Sequence, residues 1–508
     1  MCQYLPKGGA GMKFRIAKML LRLLAAPQSQ ATSSAPPSSP DDRATLERTL
    51  HELNDCMDLV HRKFPSNGMD VVYFAYLVGN DDLYRDIIQP FSNATVQEAA
   101  ARLACLPYTE VQNSNVCIDG ILEGMAAIFL KGKAYLIRID EAEGRSIAQS
   151  ETETVISGPH DGFVENLEQN LSVLRRRIKS SHLKTIELPV GEISKTNVVL
   201  AYLEGIANPD FVEALKERIK SVEIDSVMDA NMFVQLIDEN PNSVFPQFLT
   251  TERPDAVASK ILGGRIAGFV DGSPSVFCSP TSFFDFFSSP DDYYQRWLLG
   301  TSLRILRLVG FLITICFTAF YVSITTFHYE MIPHTMLLNL TESRSRVPFP
   351  PLIEALLMET TIELLREAGA RLPTKIGQTI GIVGGIVIGQ AAVQAGFTSN
   401  ILIIAVATSA IASFVIPSYI MSASLRLIRF GLIILAGVLG NLGLLMGIGF
   451  VIIHLAGITN LGTSYLTPLA PFNAGDVLDT FVRGPFWALR KRPSIVKSSN
   501  RTRNKMRR

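Results

Sequence analysis

Residues 376–425 read IGQTIGIVGGIVIGQAAVQAGFTSNILIIAVATSAIASFVIPSYIMSASL, and no Asp, Glu, Lys or Arg interrupts them. A membrane-crossing helix needs about 20 apolar residues to traverse a hydrocarbon layer about 30 Å thick, so the stretch holds two crossings. They are joined near 396–400 as a helical hairpin. In the first half Gly377, Gly381, Gly385 and Gly389 recur at every fourth position, which stacks them on one helix face without side chains. In lipid, where hydrophobicity does not drive helix pairing, such a face lets a neighbouring backbone approach closely. It reads either as a helix-packing seam or as the pore-facing side of a helix in an oligomer. Gln378, Gln390, Gln394, Ser399 and Asn400 are polar groups that face protein or water at that depth rather than lipid. Of these, Gln378 and Gln390 are candidates to line a path.

Outward from this stretch, 308–327 is another uncharged run with Arg304 and Arg307 at its mouth. Residues 430–457, with GxxxG at Gly443 and Gly447, form the last, after Arg426 and Arg429. Four crossings put both ends on one side, and the arginines assign that side to the cytoplasm. Between the first and second crossings lies VPFPPLIEALLMETTIELLREAGARLP, 347–373, started by Pro348, Pro350 and Pro351 and closed by Pro373. Its charges, Glu354, Glu359, Glu363, Arg366 and Glu367, argue against a span and for an interfacial amphipathic helix over 350–369. Two readings stand side by side. The charges form a solvated face with a Glu363–Arg366 pair, or Glu354, Glu359 and Glu363, repeated around a ring, form a vestibule that concentrates cations at a pore mouth. One tension remains: four crossings place Arg371, Lys375, Arg426 and Arg429 on the outer side, against the positive-inside bias. Either they pair with the glutamates or one segment is re-entrant.

Composition agrees with a mixed protein, since only 19% of the 508 residues are charged and the mean hydropathy is +0.24. Residues 1–43 comprise a basic amphipathic leader and a Ser/Pro-rich linker, QSQATSSAPPSSPDD, that buries nothing. An α/β soluble region of two small lobes follows, 44–180 and 181–295, then an all-α integral membrane domain, 296–460. In the first lobe the spacing predicts a helix over 44–60, a buried strand at 70–78, a hairpin turning at Lys131-Gly132 and a helix over 163–178. The Arg175-Arg176-Arg177 run at the end of that helix reads as a solvated face. In the second, a strand covers 197–203 and Asn208-Pro209 starts a helix to about Lys220. The tail, 461–508, has basic and no acidic residues from Arg483 onward, which suits anionic headgroups on the cytoplasmic side. Six cysteines at no metal or redox spacing read as reduced thiols. No phosphate-cradling loop, zinc pattern or nucleophile–base set is present, so neither an enzyme nor a cofactor or metal is expected.

Three stretches carry a resemblance: TERPDAVASKILGGRIAGFVDGSP at 251–274, SPDDYYQRW at 289–297, and VPFPPLIEALLMETTIELLREAGARLPTKIGQTIGIVGGIVIGQAAVQAG at 347–396. In these the chain resembles the A subunit of GerA-type nutrient germinant receptors of endospore-forming bacteria, from about residue 44 to about 485. The resemblance implies a multi-pass protein of the spore inner membrane with its lobes in the spore core. It also implies a transporter-like B subunit and a C-subunit lipoprotein as partners, and oligomers acting as a nutrient-gated ion channel. An AF-type sporulation paralogue shares the motifs and implies an amplifier instead. Against the channel stands a non-conducting scaffold, in which the membrane domain only clusters receptors.

Overall fold

The computed structural model describes residues 42–105, 107–139, 150, 153 and 157–506, with side chains in the helix Thr374–Gln394 only from 384 onward. The basic leader and most of its linker lie outside the described residues. In the first lobe, helix α1 (Leu46–Glu52) precedes strands β1 (Leu59–Phe64) and β2 (Met69–Phe74). A helical stretch over 80–91 and α2 (Val96–Leu103) lead to β3 (Thr109–Val111), α3 (Ser114–Leu122), β4 (Met125–Leu130) and β5 (Lys133–Arg138). The second lobe repeats this order with α4 (Leu167–Arg177), β6 (Leu183–Val190), β7 (Thr196–Leu203), α5 (Pro209–Lys220) and α6 (Ala230–Ile237). It closes with β8 (Leu249–Thr251), α7 (Pro254–Leu262), β9 (Ile266–Val270) and β10 (Val276–Ser279). The sheets run β1-β2-β4-β5-β3 and β6-β7-β9-β10-β8, every pair antiparallel. One topology is therefore built twice.

Each sheet is covered on both faces, which is why its strands read as unbroken apolar runs. In β2, Val71 and Tyr73 face the helices that follow, while Val72 and Phe74 face α1 and α3. In β7, Val198 and Leu200 face α5 and α6, while Val199, Ala201 and Leu203 face α4 and α7. Thus α4 belongs to the second lobe, and the boundary expected at 180 falls before it. The predicted helix over 44–60 ends at Glu52, because 54–58 leaves the helix to pair with β6: Thr185 N–H donates to Asp55 O at 3.0 Å and Met57 N–H to Thr185 O at 3.1 Å.

Arg175, read as solvated, is buried between the lobes. Its Nη2 donates to Asp58 Oδ1 at 2.6 Å, its Nε to Asp58 Oδ2, and its guanidinium stacks 4.0 Å from the Phe74 ring centroid. Beside it the buried Lys184 Nζ donates to Glu52 O (3.0 Å), Asn54 O (2.9 Å) and Asn54 Oδ1 (2.7 Å). Both cations are spent on fixing one lobe against the other.

The helical domain comprises α8 (Trp297–Phe327), α9 (His334–Arg344), α10 (Pro351–Arg371), α11 (Thr374–Gln394), α12 (Asn400–Phe414) and α13 (Tyr419–Gly457). By length and composition α8 and α13 are apolar enough to cross a membrane. The 39-residue α13 is not one rod: Gly440, at φ 63° and ψ −144°, reverses it. Ser424 Oγ donates to Val244 O at 2.6 Å, while His454 Nε2 lies 2.9 Å from Ser243 Oγ. A straight helix would hold those two residues about 45 Å apart. Gly443 and Gly447 pack against Leu435 and Leu432, so the GxxxG pair closes the two arms, 419–439 and 441–457, on each other. At the tip Asn441 N–H donates to His328 Nε2 at 3.3 Å and Ser323 Oγ to Asn441 Oδ1 at 2.7 Å.

Six segments therefore traverse the helical domain, where the sequence reading expects four. From the lobes, α8 runs out to the tip at Gly440 and α10 returns, Leu352 lying on Gly437 near the tip and Glu363 meeting Arg426 near the lobes. The glycine-rich α11 runs out again and α12 returns, with the two arms of α13 completing the set. The hairpin expected within 376–425 is also partnered differently: α11 lies along α10, and α12 along α8. In this arrangement Arg371, Arg426 and Arg429 are displaced toward the lobe side, which removes the conflict with the positive-inside bias.

The tail is folded rather than loose. A helix Ala474–Thr480 is followed by an antiparallel hairpin in which Arg503 N–H donates to Arg490 O (2.8 Å) and Arg492 N–H to Arg501 O (2.9 Å). Its loop buries Ile495 and Val496 on the second lobe.

Candidate functional site

Proline at the first position of α10 fixes its start, and Glu354, Glu359 and Glu363 then project into the bundle. Glu354, fully buried, accepts from Ser399 N–H at 3.2 Å and pairs with Arg344 at 3.3 Å. Glu359 pairs with Arg429 at 2.6 Å, both side chains completely buried, and accepts from Thr318 Oγ at 2.9 Å. Arg429 also donates to Ser409 Oγ at 2.9 Å. Glu363, partly exposed, meets Arg426 at 3.0 Å and Arg366 at 3.1 Å. The three expected vestibule residues thus form one ladder, and each rung is closed by arginine. Of the two possibilities raised by the sequence, pairing with the glutamates holds for Arg426 and Arg429 and for Arg371, which meets Glu367 at 2.5 Å, while the side chain of Lys375 lies outside the described residues.

The glycine face is the opposite case. Nothing lies within 4 Å of the side-chain position at Gly385 or Gly389, and Gln390 is exposed with Ile386 and Val387 beside it. The contact with α10 is made one residue away, where a side-chain carbon at Gly384 would stand 3.0 Å from Leu365 Cδ2. The side chain of Gln378 and the surroundings of Gly377 and Gly381 lie outside the described residues. Within one chain the structure brings the glutamates together and leaves Gly385, Gly389 and Gln390 uncovered.

A second constellation, at the head of α8, escapes sequence reasoning. Asp292 is fully buried and pairs with Arg307 at 2.7 Å and Arg304 at 3.1 Å, so the two arginines expected at the membrane mouth point inward. Tyr293 Oη donates to Asp479 Oδ1 of the tail at 2.7 Å, and Tyr294 Oη to Asp255 Oδ2 at 2.5 Å. Asp255 is itself held by Arg253 at 2.7 Å. Arg265 donates to both oxygens of Asp285 at 2.8 Å, with Lys260 at 3.1 Å. Burial would push the Asp285 carboxyl up, yet Arg265 and Lys260 hold it well below the usual carboxylate range. Burial raises the Glu153 carboxyl to about 7 despite the Thr251 hydroxyl. Glu153, Asp255, Asp285, Tyr293, Tyr294 and Asp479 border a cavity of about 1130 Å³ between the second lobe, the 414–420 turn and the tail. The charges stand in TERPD, GGR and SPDDYYQRW, where nothing local announces the distant partner that each one meets. What the arrangement can do is mechanical: buried, directional bonds tie the second lobe, the tail and α8 into one unit.

The chain is similar over most of its length to known proteins. A family described as Bacillus/Clostridium GerA spore germination protein matches residues 46–495. Spore germination protein GerQA of Bacillus cereus is 41% identical over 467 residues, covering 90% of this chain and 94% of its own. Spore germination protein KA of Bacillus subtilis (strain 168) is 38% identical over 480 residues, covering 92% and 88%. A membrane protein of the same organism, YfkQ, is 36% identical over 477 residues, covering 91% and 93%. The crystal structure of the N-terminal domain of the A subunit of the Bacillus megaterium spore germinant receptor GerK3 covers 48% of this chain and 97% of that one, at 24% identity and a TM-score of 0.36.

Proposed function

We propose, from the premise that the chain belongs to the GerA family of spore germination proteins, that it is the A subunit of a nutrient germinant receptor. In this reading it oligomerises in the spore inner membrane into a nutrient-gated cation channel whose opening triggers germination. The lobes and the tail, on one side of an even number of crossings, then lie together in the spore core, and a transporter-like B subunit and a C lipoprotein complete the complex. The observation that carries the reading is the uncovered face of α11. Gly385 and Gly389 recur one turn apart on a helix that lies along α10 and have open space beside them, which suits a neighbouring subunit's backbone. The sealed ladder then represents the closed state, and release of Glu363 from Arg426 would supply the acidic vestibule, with Glu359 and Glu354 deeper.

One observation favours a second reading, a non-conducting scaffold or AF-type amplifier: every vestibule candidate is already neutralised by an arginine. Substitution Gly385→Leu separates folding from assembly. The side chain meets open space within the chain, so expression and thermal stability stay unchanged while the oligomer measured by native mass spectrometry is lost, and germination with it. An intact oligomer and normal germination would remove α11 from the subunit interface.

A further inference from the structure

Between Gly484 and Met506 the chain carries seven Lys and Arg and no Asp or Glu. Of these, Arg490, Lys491, Lys497, Arg501 and Lys505 are exposed, and among the described residues Lys491, Arg501 and Lys505 make no ion pair. The hairpin that presents them is anchored at both ends. On the second lobe Val496 sits against Gly264, whose φ of 96° and missing side chain leave the space, and Ser498 Oγ donates to Ile206 O at 2.6 Å. At the other end Thr301 Oγ, one turn into α8, donates to Arg483 O at 3.2 Å, and the Arg483 guanidinium covers the Phe486 ring at 4.2 Å. This second anchor sets a level. The chain has two tryptophans. Trp297 opens α8 and is 46% exposed, beside the exposed Leu298 and Leu299; Trp487 stands on the tail and is 44% exposed. Tryptophan at the junction of an apolar helix and a polar domain is the residue favoured at the membrane–water boundary.

We propose that the folded tail hairpin is a clamp for anionic lipid headgroups, holding the second lobe down on the membrane surface at the level marked by Trp297 and Trp487. The inference rests on the reading of α8 as a membrane crossing. A basic surface on which, among the described residues, Arg503 alone meets a carboxylate, Asp479 at 3.7 Å, is complementary to an anionic leaflet where it continues a lipid-facing helix, and each cation near such a surface is worth about fivefold in affinity. Because the hairpin is bonded to both the lobe and α8, headgroup binding is transmitted to the junction around Asp292.

The test uses the full chain in nanodiscs of phosphatidylcholine alone or of phosphatidylcholine with phosphatidylglycerol, read by hydrogen exchange. The expected result is exchange over 490–505 slowed by at least about fivefold in the anionic discs. That slowing should be reversed by raised salt and absent in the variant Arg490→Glu, Lys491→Glu, Arg501→Glu, Lys505→Glu. The headgroup and salt comparisons need no variant, so a folding defect cannot mimic the result. Equal exchange in the two discs overturns the clamp. So does protection that ignores headgroup charge and arises only with a co-purified receptor subunit, which would assign the hairpin to an acidic protein face. Failure of α8 itself to gain protection in either disc would instead overturn the membrane reading on which the clamp rests.

Discussion

Substitution at Glu359 and Arg429 probes the centre of the ladder. Both side chains are fully buried 2.6 Å apart, and Thr318 and Ser409 supply the neighbouring polar contacts. Glu359→Leu leaves the Arg429 charge without a counter-ion in a medium that solvates it poorly, and Arg429→Met does the same to Glu359. Removing one partner of a buried pair costs about 3 to 5 kcal/mol, whereas replacing both by apolar groups is neutral or even stabilising. For a unit of this size each kcal/mol shifts the melting temperature by about 2 to 4 °C, so each single substitution lowers it by about 6 to 20 °C. The double variant recovers most of that loss. The assay is thermal unfolding of the full chain in nanodiscs, followed by tryptophan emission. Losses that add to within about 0.5 kcal/mol in the double variant would show that the two residues do not depend on each other. The ladder would then have no energetic content.

Gly440→Ala puts a side chain at φ 63°, ψ −144°, and 3.0 Å from His328 Nε2, so it should cost at least about 1 to 3 kcal/mol. Gly431→Ala, in the same helix with nothing within 4 Å, should instead be neutral or gain up to about 1 kcal/mol, and equal melting temperatures for the two variants would contradict the reversal. The second lobe should respond to pH, because burial raises the carboxyls of Glu153 and Asp238 to about 7 from ordinary values of 4.5 and 3.8. The folded chain keeps protons that the unfolded chain has lost, so this contribution is full below the ordinary values and falls as pH rises through about 7. Asp285, held low, contributes stability above its ordinary value and does not oppose the trend in that window. Melting curves across that window should show the decline, and Glu153→Gln with Asp238→Asn should flatten it; an unchanged slope would exclude these two groups as its source.

Several strands and helices were legible because their patterns are local. The hairpin at Lys131-Gly132, the strand ending at Leu203 and the helix started by Asn208-Pro209 follow from period, turn chemistry and capping, and they stand where expected. Long-range partners were not legible. Nothing in ATLERTLHELNDCMDLV announces that Asp55–Asp58 pairs with β6 rather than continuing a helix, since its apolar spacing fits both. Arg175 looked like one of three solvated arginines because only the fold supplies Asp58 and Phe74 around it. For the same reason α10 read as interfacial: the charges that forbid a lone helix from entering a membrane are tolerated when Arg344, Arg426 and Arg429 meet them from other helices. Gly440 sat inside an uncharged run with six other glycines, among which it did not stand out as the point of reversal. The glycine spacing of α11 was visible at once, but only the fold shows that Gly385 and Gly389 meet no other part of the chain among the described residues.

The channel reading is tested most directly by ion flow. With B and C subunits co-expressed in vegetative cells, membrane potential and potassium efflux would be followed as amino acids and sugars are added. The account predicts a depolarisation that requires both this subunit and one nutrient and that is altered by Glu363→Gln. Silence under every nutrient, with the complex assembled in the membrane, would contradict it and leave the scaffold.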